Sequence, residues 1–396
     1  MLQIATSYPV NEADPTAPFI RSIARALAAD GHTLQIIVPH RMGMPDSTTE
    51  AGVTVHWVRY APTPALNVIG HGRSLQNDAR LRGSSYAALP FFIGAAFARA
   101  SAITLKWKPA VVQSHWALPS GVVGAAIAKA CGARHIVSLH GSDIYVANSR
   151  RSFQQAAGFV FRSADQVTAC SPYLAEQAIR LGANPERVHF LPYGVDPALF
   201  PERERGASNQ HAPIVLAAGR LVEKKGFRKL IEQADLFLTA RADAELWIAG
   251  DGDDRQTLEN AVSAKHSDVA RRIKLLGRVE WSRMPELFRR ASVFVMPSIS
   301  DSRGNQDGLP NVILEAMSSG AAVVATDIGG AEAVIDDGVT GIIVPANAGP
   351  RLGEAIAELL SNPEMREGIG LAASERIRSQ HTWQIMARKL GELFVG

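Results

Sequence analysis

The chain has 396 residues, of which 46% are hydrophobic and 20% are charged, and its formal net charge is +3. This length exceeds what one ordinary core holds, and the composition excludes an intrinsically disordered chain. The two cysteines, Cys131 and Cys170, are too few for a disulfide framework and lack the Cys-x-x-Cys spacing of a zinc or redox site. We therefore expect two globular domains in a reducing compartment.

The chain begins with a short apolar run that predicts a first β-strand. Pro9 and Asn11 end this run, and no basic segment precedes it, so we expect no cleavable signal peptide and a cytoplasmic protein. The most apolar window, residues 86–105, contains Pro90 and Arg99. A membrane span needs about 20 largely uncharged residues, so this window predicts a helix within a globular domain.

The first half alternates short β-rich runs with longer Ala-rich helical stretches, which predicts parallel βαβ units. The strand candidates are LQIAT, TLQIIVP, VTVHWVR, AVVQS, HIVSLH, QVTAC and RVHFLP. A second series follows a polar stretch at residues 201–213: IVLAAG, AELWIAG, RIKLLG, VFVMP, AAVVAT and GIIVP. We predict an N-terminal domain at residues 1–200, a linker at 201–213 and a second α/β domain at 214–374. A C-terminal helix at 375–396 is expected to pack back at the domain junction.

Basic residues are concentrated in one part of the first half. Residues 51–162 contain 12 Lys and Arg residues against only Asp78 and Asp143. Such a surplus favours an anionic ligand or membrane surface, although a solvated helix face explains it equally well.

The most informative segment is DGLPNVILE, which precedes the strand candidate AAVVAT. Gly308 lets the backbone approach a ligand closely, and Pro310 is typical of the first turn of a helix. The unpaired amides of Asn311 and Val312 then present a positive helix end to phosphate. An ordinary helix start explains the segment alone equally well.

Two carboxylates flank this helix start. Glu315, about one and a half turns into the helix, can accept hydrogen bonds from vicinal hydroxyls such as those of a ribose. Asp307 is expected at the mouth of the loop, beyond the phosphate.

A cluster of cations follows the strand candidate IVLAAG. Arg220 offers a fork of donors, and Lys224 and Lys225 compete to supply a point charge. Two cations at a strand end can neutralise a leaving diphosphate without a metal ion. A solvated basic turn is the simpler alternative.

Two histidines end apolar strand candidates of the first half. His140 is followed by Gly141 and Asp143 at a strand end, where open α/β sheets bind ligands. His115, after AVVQS, and Asp143 are expected on the acceptor side. A packed, hydrogen-bonded histidine is the structural alternative for either ring.

A dinucleotide site is disfavoured at Gly250 and Gly252, because Arg255 occupies the place of the third glycine of G-x-G-x-x-G. No group of His, Asp and Glu has metal-ligand spacing, so we expect no catalytic metal.

Together these motifs resemble family 4 of the retaining glycosyltransferases, over nearly the whole chain. The matching residues are Tyr8-Pro9, Gly31-His32, His140 to Asp143, Pro192 to Asp196, Gly219-Arg220, Lys225-Gly226, Gly250 to Gly252, Gly277 to Val279 and Glu315 to Met317. The resemblance implies a GT-B fold, in which two Rossmann-like domains face each other across a cleft. It also implies roles: Arg220 and Lys225 hold the donor diphosphate, Glu315 the ribose, and Val279 the base through its backbone. His140 is placed beside the transferred sugar.

The chain departs from the family pattern in two places. Where the family pattern Glu-x7-Glu has its first Glu, this chain has Asp307. The resulting segment Asp-Gly-Leu-Pro-Asn resembles a subgroup that acts in exopolysaccharide and lipid-linked oligosaccharide assembly. The glycine-rich first loop of the family is replaced by residues 11–18, which removes the basis for assigning an acceptor or phosphate contact there.

The predicted function is retaining transfer of a sugar from a UDP- or GDP-sugar to a glycan, a lipid-linked acceptor or a small molecule. His140, Asp307, Arg220 and Lys225 are the predicted catalytic residues, and no cofactor, metal or nucleic-acid partner is expected. We also expect a peripheral position at an anionic inner membrane face. Three alternatives remain: a nucleotide-sugar 2-epimerase, a pyridoxal-phosphate-dependent sugar phosphorylase, and a non-catalytic nucleotide-sugar-binding protein.

Overall fold

The computed structural model describes all residues except 13, 15, 64–65, 71–74, 77–79, 82, 205–211, 303 and 396, as well as the side chains of 75–76, 80–81 and 83. Arg73, Asp78 and Arg82 of the basic segment and most of the predicted linker lie outside this description. The chain divides into two compact units. The first comprises Met1–Leu191 and Trp383–Gly396, and the second comprises Pro192–Thr382.

The first unit is a parallel α/β unit. Its strands are β1 (Leu2–Ile4), β2 (Leu34–Pro39), β3 (Ser47–Glu50), β4 (Val53–Val58), β5 (Leu75–Gln76), β6 (Arg80–Leu81), β7 (Val111–His115), β8 (Arg134–Leu139), β9 (Gln166–Ala169) and β10 (Val188–Phe190). Its helices up to the unit boundary are α1 (Pro18–Ala29), α2 (Gly83–Lys106), α3 (Ser120–Cys131), α4 (Ser142–Asn148), α5 (Arg151–Ser163) and α6 (Pro172–Arg180). The seven predicted strand runs of this half all form strands.

The main sheet of this unit has the order β10-β9-β8-β7-β1-β2-β4-β3, and only the pairing of β3 with β4 is antiparallel. The sequence analysis missed β3, because its polar residues STTE alternate between exposed and half-buried and carry no apolar signal. Helices cover the sheet as βαβ units require. In α1, Ile20, Ile23 and Leu27 recur at helical spacing and are buried in one core cluster with β2 and β4.

Helix α2 covers another part of the sheet and is unusually apolar. Phe92, Ala96, Ala100 and Ile103 are buried in a second core cluster with residues of α3. Among the described residues, α2 is the one helix long and apolar enough to cross a membrane, by length and composition only. The predicted helix at residues 86–105 lies within α2, which runs through Pro90 without a break.

The second unit contains a six-stranded parallel sheet. Its strands are β11 (Ile214–Ala218), β12 (Glu245–Ala249), β13 (Ile273–Gly277), β14 (Ala291–Met296), β15 (Ala322–Thr326) and β16 (Ile342–Val344), in the order β13-β12-β11-β14-β15-β16. Its helices are α7 (Phe227–Glu232), α8 (Ala234–Ala240), α9 (Arg255–Ser263), α10 (Ser267–Ala270), α11 (Met284–Arg290), α12 (Asn311–Ser318), α13 (Arg351–Ser361) and α14 (Pro363–Gln380). The six predicted strands of this half are all present. Parallel strands place their carboxyl ends at one edge, where ligands bind in open α/β sheets.

The C-terminal segment differs from the prediction of a single helix at residues 375–396. Helix α14 continues to Gln380 in the second unit, and a separate helix α15 (Trp383–Glu392) follows it. Helix α15 packs on α1 of the first unit through Met386, Ala387 and Leu390. The unit boundary falls after Leu191, nine residues before the predicted end of the first domain.

Candidate active site

The loops after β11, β12 and β13 lie side by side at the carboxyl edge of the second unit. The backbone amide of Gly219 donates to Ala249 O at 3.0 Å, and that of Gly250 donates to Gly277 O at 2.8 Å. A Cβ at Gly250 would lie 1.8 Å from Gly219 O, so only glycine permits this packing. Val279 is half-buried and follows the end of β13 by two residues.

The two lysines after β11 lie on a short 3-10 turn, Glu223–Lys225, which ends at Gly226 in a left-handed conformation with φ 67°. A Cβ at Gly226 would lie 1.8 Å from Pro297 O, at the end of β14. The amide of Ile299 also donates to Lys224 O at 2.8 Å. The turn is therefore fixed against the loop that follows β14, which also contains Asp307.

Asp307 binds both lysines. Its Oδ1 lies 3.3 Å from Lys224 Nζ, and its Oδ2 lies 2.9 Å from Lys225 Nζ and accepts a hydrogen bond from Ser298 Oγ at 3.1 Å. Burial alone raises the pKa of Asp307, but the two lysines outweigh burial and hold the pKa below its ordinary value. Asp307 is only 7% exposed, so it does not lie at an open loop mouth as the sequence predicted.

Three cations lie around Asp307. Arg220 is exposed at the end of β11 and interacts electrostatically with Asp307 and Asp253. Burial lowers the pKa of Lys225, and the attraction of Asp307 does not fully reverse this shift. A cluster of Arg220, Lys224 and Lys225 is suited to a polyanion such as a diphosphate.

Helix α12 begins at Asn311, and Pro310 is the residue before it rather than in its first turn. The amide of Ile313 donates to Pro310 O at 3.1 Å. The amides of Asn311 and Val312 occupy the first two helical positions, which have no intrahelical acceptor. Gly308 is half-buried in the preceding loop. The side-chain oxygen of Asn311 is buried without a partner among the described residues, a feature that the sequence analysis missed.

Glu315 lies one turn into α12. Its backbone oxygen accepts hydrogen bonds from the amide and the hydroxyl of Ser319. Burial raises the pKa of its side chain to about 7, with no opposing partner among the described residues. A carboxylate in this state can accept hydrogen bonds from ligand hydroxyls. The structure therefore brings Arg220 and Lys225 to Asp307, and Gly308, Asn311, Val312 and Glu315 follow Asp307 in the loop and at the start of α12.

The remaining predicted residues lie in the first unit. His115 ends β7 and His140 follows β8, so the carboxyl ends of two paired strands bring the rings together, with His115 Nδ1 3.1 Å from His140 Nε2. The His140 ring also packs 4.8 Å from Phe19 and 5.0 Å from Trp116, centroid to centroid. Burial lowers the pKa of His115 to about 3 and that of His140 well below its ordinary value. Both rings are neutral at physiological pH.

Asp143 is the second residue of α4 and is buried. Its Oδ1 accepts a hydrogen bond from the amide of Gly141 at 2.9 Å. Burial raises its pKa to about 6, against the effect of the backbone amides around it. Trp116, which sequence reasoning did not single out, has a left-handed backbone with φ 70° between His115 and the Asp143 region. A bulky residue rarely adopts this conformation, and such strain is concentrated at functional sites.

Comparisons with known proteins identify the family. Residues 200–376 match the family described as Glycosyl transferases group 1, and residues 16–194 match the Glycosyl transferase 4-like domain. The chain is 31% identical over 281 residues to the GDP-mannose-dependent monoacylated alpha-(1-6)-phosphatidylinositol monomannoside mannosyltransferase of Corynebacterium glutamicum, covering 67% of this chain and 71% of the relative. It is 28% identical over 316 residues to the alpha-maltose-1-phosphate synthase of Mycolicibacterium smegmatis, covering 72% of this chain and 78% of the relative.

Solved structures show the same fold. Sucrose-phosphate synthase from Thermosynechococcus elongatus superposes with a TM-score of 0.78 at 20% identity, over 99% of this chain and 98% of that chain. HepE from Anabaena in complex with UDP-glucose superposes with a TM-score of 0.70 at 16% identity, over the same shares of the two chains. Two Rossmann-like units with a cationic strand-end cluster and a helix N-terminus define a GT-B glycosyltransferase. The chain belongs to the group 1 glycosyltransferases, which correspond to family 4.

Proposed function

We propose that this glycosyltransferase moves a sugar from a nucleoside diphosphate sugar to an acceptor hydroxyl with retention of configuration and without a metal ion. The observation that carries this proposal is the cationic cluster of Arg220, Lys224 and Lys225 around one buried carboxylate. These side chains supply positive charge where a departing diphosphate needs it. The relative from C. glutamicum is named for GDP-mannose, and HepE was solved with UDP-glucose. Both donor types carry the diphosphate that the cluster fits.

The reaction step follows from the charges. The bond from the anomeric carbon to the phosphate oxygen breaks, and its electron pair leaves with the nucleoside diphosphate. Lys225, Arg220 and the amide of Asn311 stabilise the charge that develops on that oxygen. The acceptor oxygen bonds to the anomeric carbon from the same face, and its proton passes to the departing phosphate.

The other residues position the two substrates. Glu315 accepts hydrogen bonds from the ribose hydroxyls, Val279 contacts the base through its backbone, and Gly308 allows close approach. His140 and Asp143 are assigned to the sugar and acceptor side. The positive surplus of the first unit supports a peripheral position at an anionic cytoplasmic membrane face.

The decisive experiment is a panel of UDP- and GDP-sugars scored by thermal shift and by release of free nucleoside diphosphate. We expect one donor to stabilise the protein and to release diphosphate faster when an acceptor is present. Release of a 2-epimerised sugar without an acceptor would instead identify an epimerase. Saturable donor binding without turnover under any acceptor would identify a binding protein.

A further inference from the structure

A cavity of about 350 Å³ lies within the first unit. Four helices contribute to its lining, and most of its lining side chains are apolar. Leu89 and Ile93 come from α2, Val122 from α3, Val146 from α4 and Phe153 from α5. An enclosure of this size is typical of a small-molecule site, and its apolar walls offer no partners for hydroxyls.

Polar side chains of the cavity follow the carboxyl ends of two strands. Thr6 and Ser7 follow β1, and Ser142 and Asp143 follow β8, so all four come from the carboxyl edge of the sheet. Helices supply the apolar walls. The cavity therefore has a polar end and an apolar body, which matches a ligand with a polar head and a hydrocarbon group.

Trp116 connects the polar end of this cavity to the paired histidines. Its side chain lines the cavity, and its ring contacts His140 edge-on with centroids 5.0 Å apart. His140 in turn lies within hydrogen-bond distance of His115. A ligand head at Asp143 is thus next to the residues assigned to the acceptor side.

We propose that this cavity binds a hydrocarbon group attached to the acceptor, with the acceptor hydroxyls at Asp143. The acceptor is accordingly an amphiphile, such as a glycolipid or an alkyl glycoside. This inference rests on the proposed function, because it assigns the acceptor to the first unit.

The test measures binding of n-octyl β-D-glucopyranoside and methyl β-D-glucopyranoside to the full chain by calorimetry, below the concentration at which the octyl compound forms micelles. Ala156 lines the cavity on α5, and Ala156→Phe fills the space without adding charge. Ala264→Phe, at an exposed position in the second unit, is the matched control. We expect the octyl glycoside to bind at least tenfold more tightly than the methyl glycoside, and Ala156→Phe alone to remove this difference.

Equal binding of the two glycosides, or equal octyl glycoside affinity in Ala156→Phe and the parent, would overturn the inference. If Ala156→Phe fails to fold, Leu89→Thr makes the same comparison, because it makes the wall polar without adding volume. Binding of 1-octanol as tight as that of the octyl glycoside would overturn the assignment of a polar end at Asp143. The thermal shift caused by a nucleoside diphosphate is measured on the same samples and does not depend on the cavity. If the nucleotide does not raise the melting temperature of the parent protein, that result counts against the proposed function alone.

Discussion

Lys225 Nζ lies 2.9 Å from Asp307 Oδ2, and the same carboxylate also binds Lys224. Asp307 and a donor diphosphate therefore compete for the same cations. This competition gives Asp307 a measurable role in both stability and nucleotide affinity, with effects of opposite sign.

We expect Asp307→Asn to lower the stability of the free protein, because it leaves two neighbouring lysines without their common carboxylate. Breaking a buried ion pair by removing one partner costs about 3 kcal/mol. Affinity for a free nucleoside diphosphate is expected to rise about tenfold, since the diphosphate no longer displaces a carboxylate. Thermal melting with and without nucleotide measures both effects, and Asp243→Asn, which breaks the exposed pair with Arg241, is the control. A joint fall in stability and affinity would instead show that Asp307 supports the loop before α12.

Lys225→Ala is expected to reduce donor turnover by a factor of about 10² to 10³, because it removes a charged contact to the departing diphosphate. Turnover in the parent protein should survive dialysis against EDTA, since the cations replace a metal ion in this proposal. Steady-state release of nucleoside diphosphate is the measurement, with Lys229→Ala as a control from the adjacent helix. Loss of activity in EDTA with recovery in magnesium would contradict the metal-free reaction.

Glu315 predicts a pH dependence of stability. Its folded-state pKa of about 7 lies above the ordinary value of 4.5. Between these values the folded state holds more protons than the unfolded state, so the free energy of unfolding falls as pH rises, by about 3 kcal/mol in total. We expect Glu315→Gln to match the parent at pH 5 and to exceed it at pH 8.

Urea unfolding at pH 5 and pH 8 checks this prediction, and Glu232→Gln on the exposed surface of α7 serves as the control. Burial also raises the pKa of Asp143, to about 6. Its contribution to the pH dependence of stability is the same in the parent and in Glu315→Gln, so it cancels when the two proteins are compared. An unchanged slope in Glu315→Gln would mean that Glu315 is ionised in the folded protein.

His115 is expected to act through His140. His115 is neutral and buried, and its Nε2 has no partner among the described residues, so the favoured tautomer carries its proton on Nδ1 and donates it to His140 Nε2. His115→Phe should therefore lower kcat about tenfold with little change in KM for the donor. His115→Asn, which keeps a polar atom near the Nδ1 position, should recover part of the loss.

The control is His135→Phe, another buried histidine of this unit, which is bonded to Ser114 rather than to His140. Equal losses of kcat in His115→Phe and His135→Phe, accompanied by equal losses of stability, would indicate a purely structural role for His115.

The basic surplus of the first unit predicts attachment to anionic membranes. Lys106 and Lys108 are exposed near the end of α2, beside its exposed apolar residues. Each well-placed lysine contributes about 1 kcal/mol, so replacing both with Gln should weaken partitioning to phosphatidylglycerol vesicles about 30-fold. Co-sedimentation measures this effect, with Arg228→Gln and Arg289→Gln in the second unit as the control. Equal partitioning to phosphatidylcholine vesicles would remove the electrostatic explanation.

Most of the architecture was predictable because buried parallel strands are continuous apolar runs. The runs LQIIVP and VFVM became β2 and β14 for that reason. The position of the cation cluster was predictable as well, because Arg220 follows an apolar strand directly. The GT-B fold inferred from the family motifs is confirmed.

The partners of individual side chains were not predictable. Nothing in the local sequence states that Asp307 reaches back to lysines more than 80 positions earlier, since this contact depends on the pairing of β11 with β14. The cavity was missed for the same reason, because its walls come from four separate helices. The sequence predicted that the C-terminal helix packs back but did not identify α1 as its partner, since helical spacing does not show the surface on which a helix packs.

The packing of α15 on α1 has a consequence for biosynthesis. Trp383–Gly396 belong to the unit whose other residues are the first 191 of the chain. A ribosome therefore releases every residue of the second unit before it releases the last helix of the first. Until then Leu27 and its neighbours on α1 lack the apolar partners that α15 supplies. The second unit lies later in the chain, but it is the first unit to be synthesised completely. A fragment ending at Leu191 would carry the same defect permanently, whereas residues 192–382 form one uninterrupted segment for separate expression.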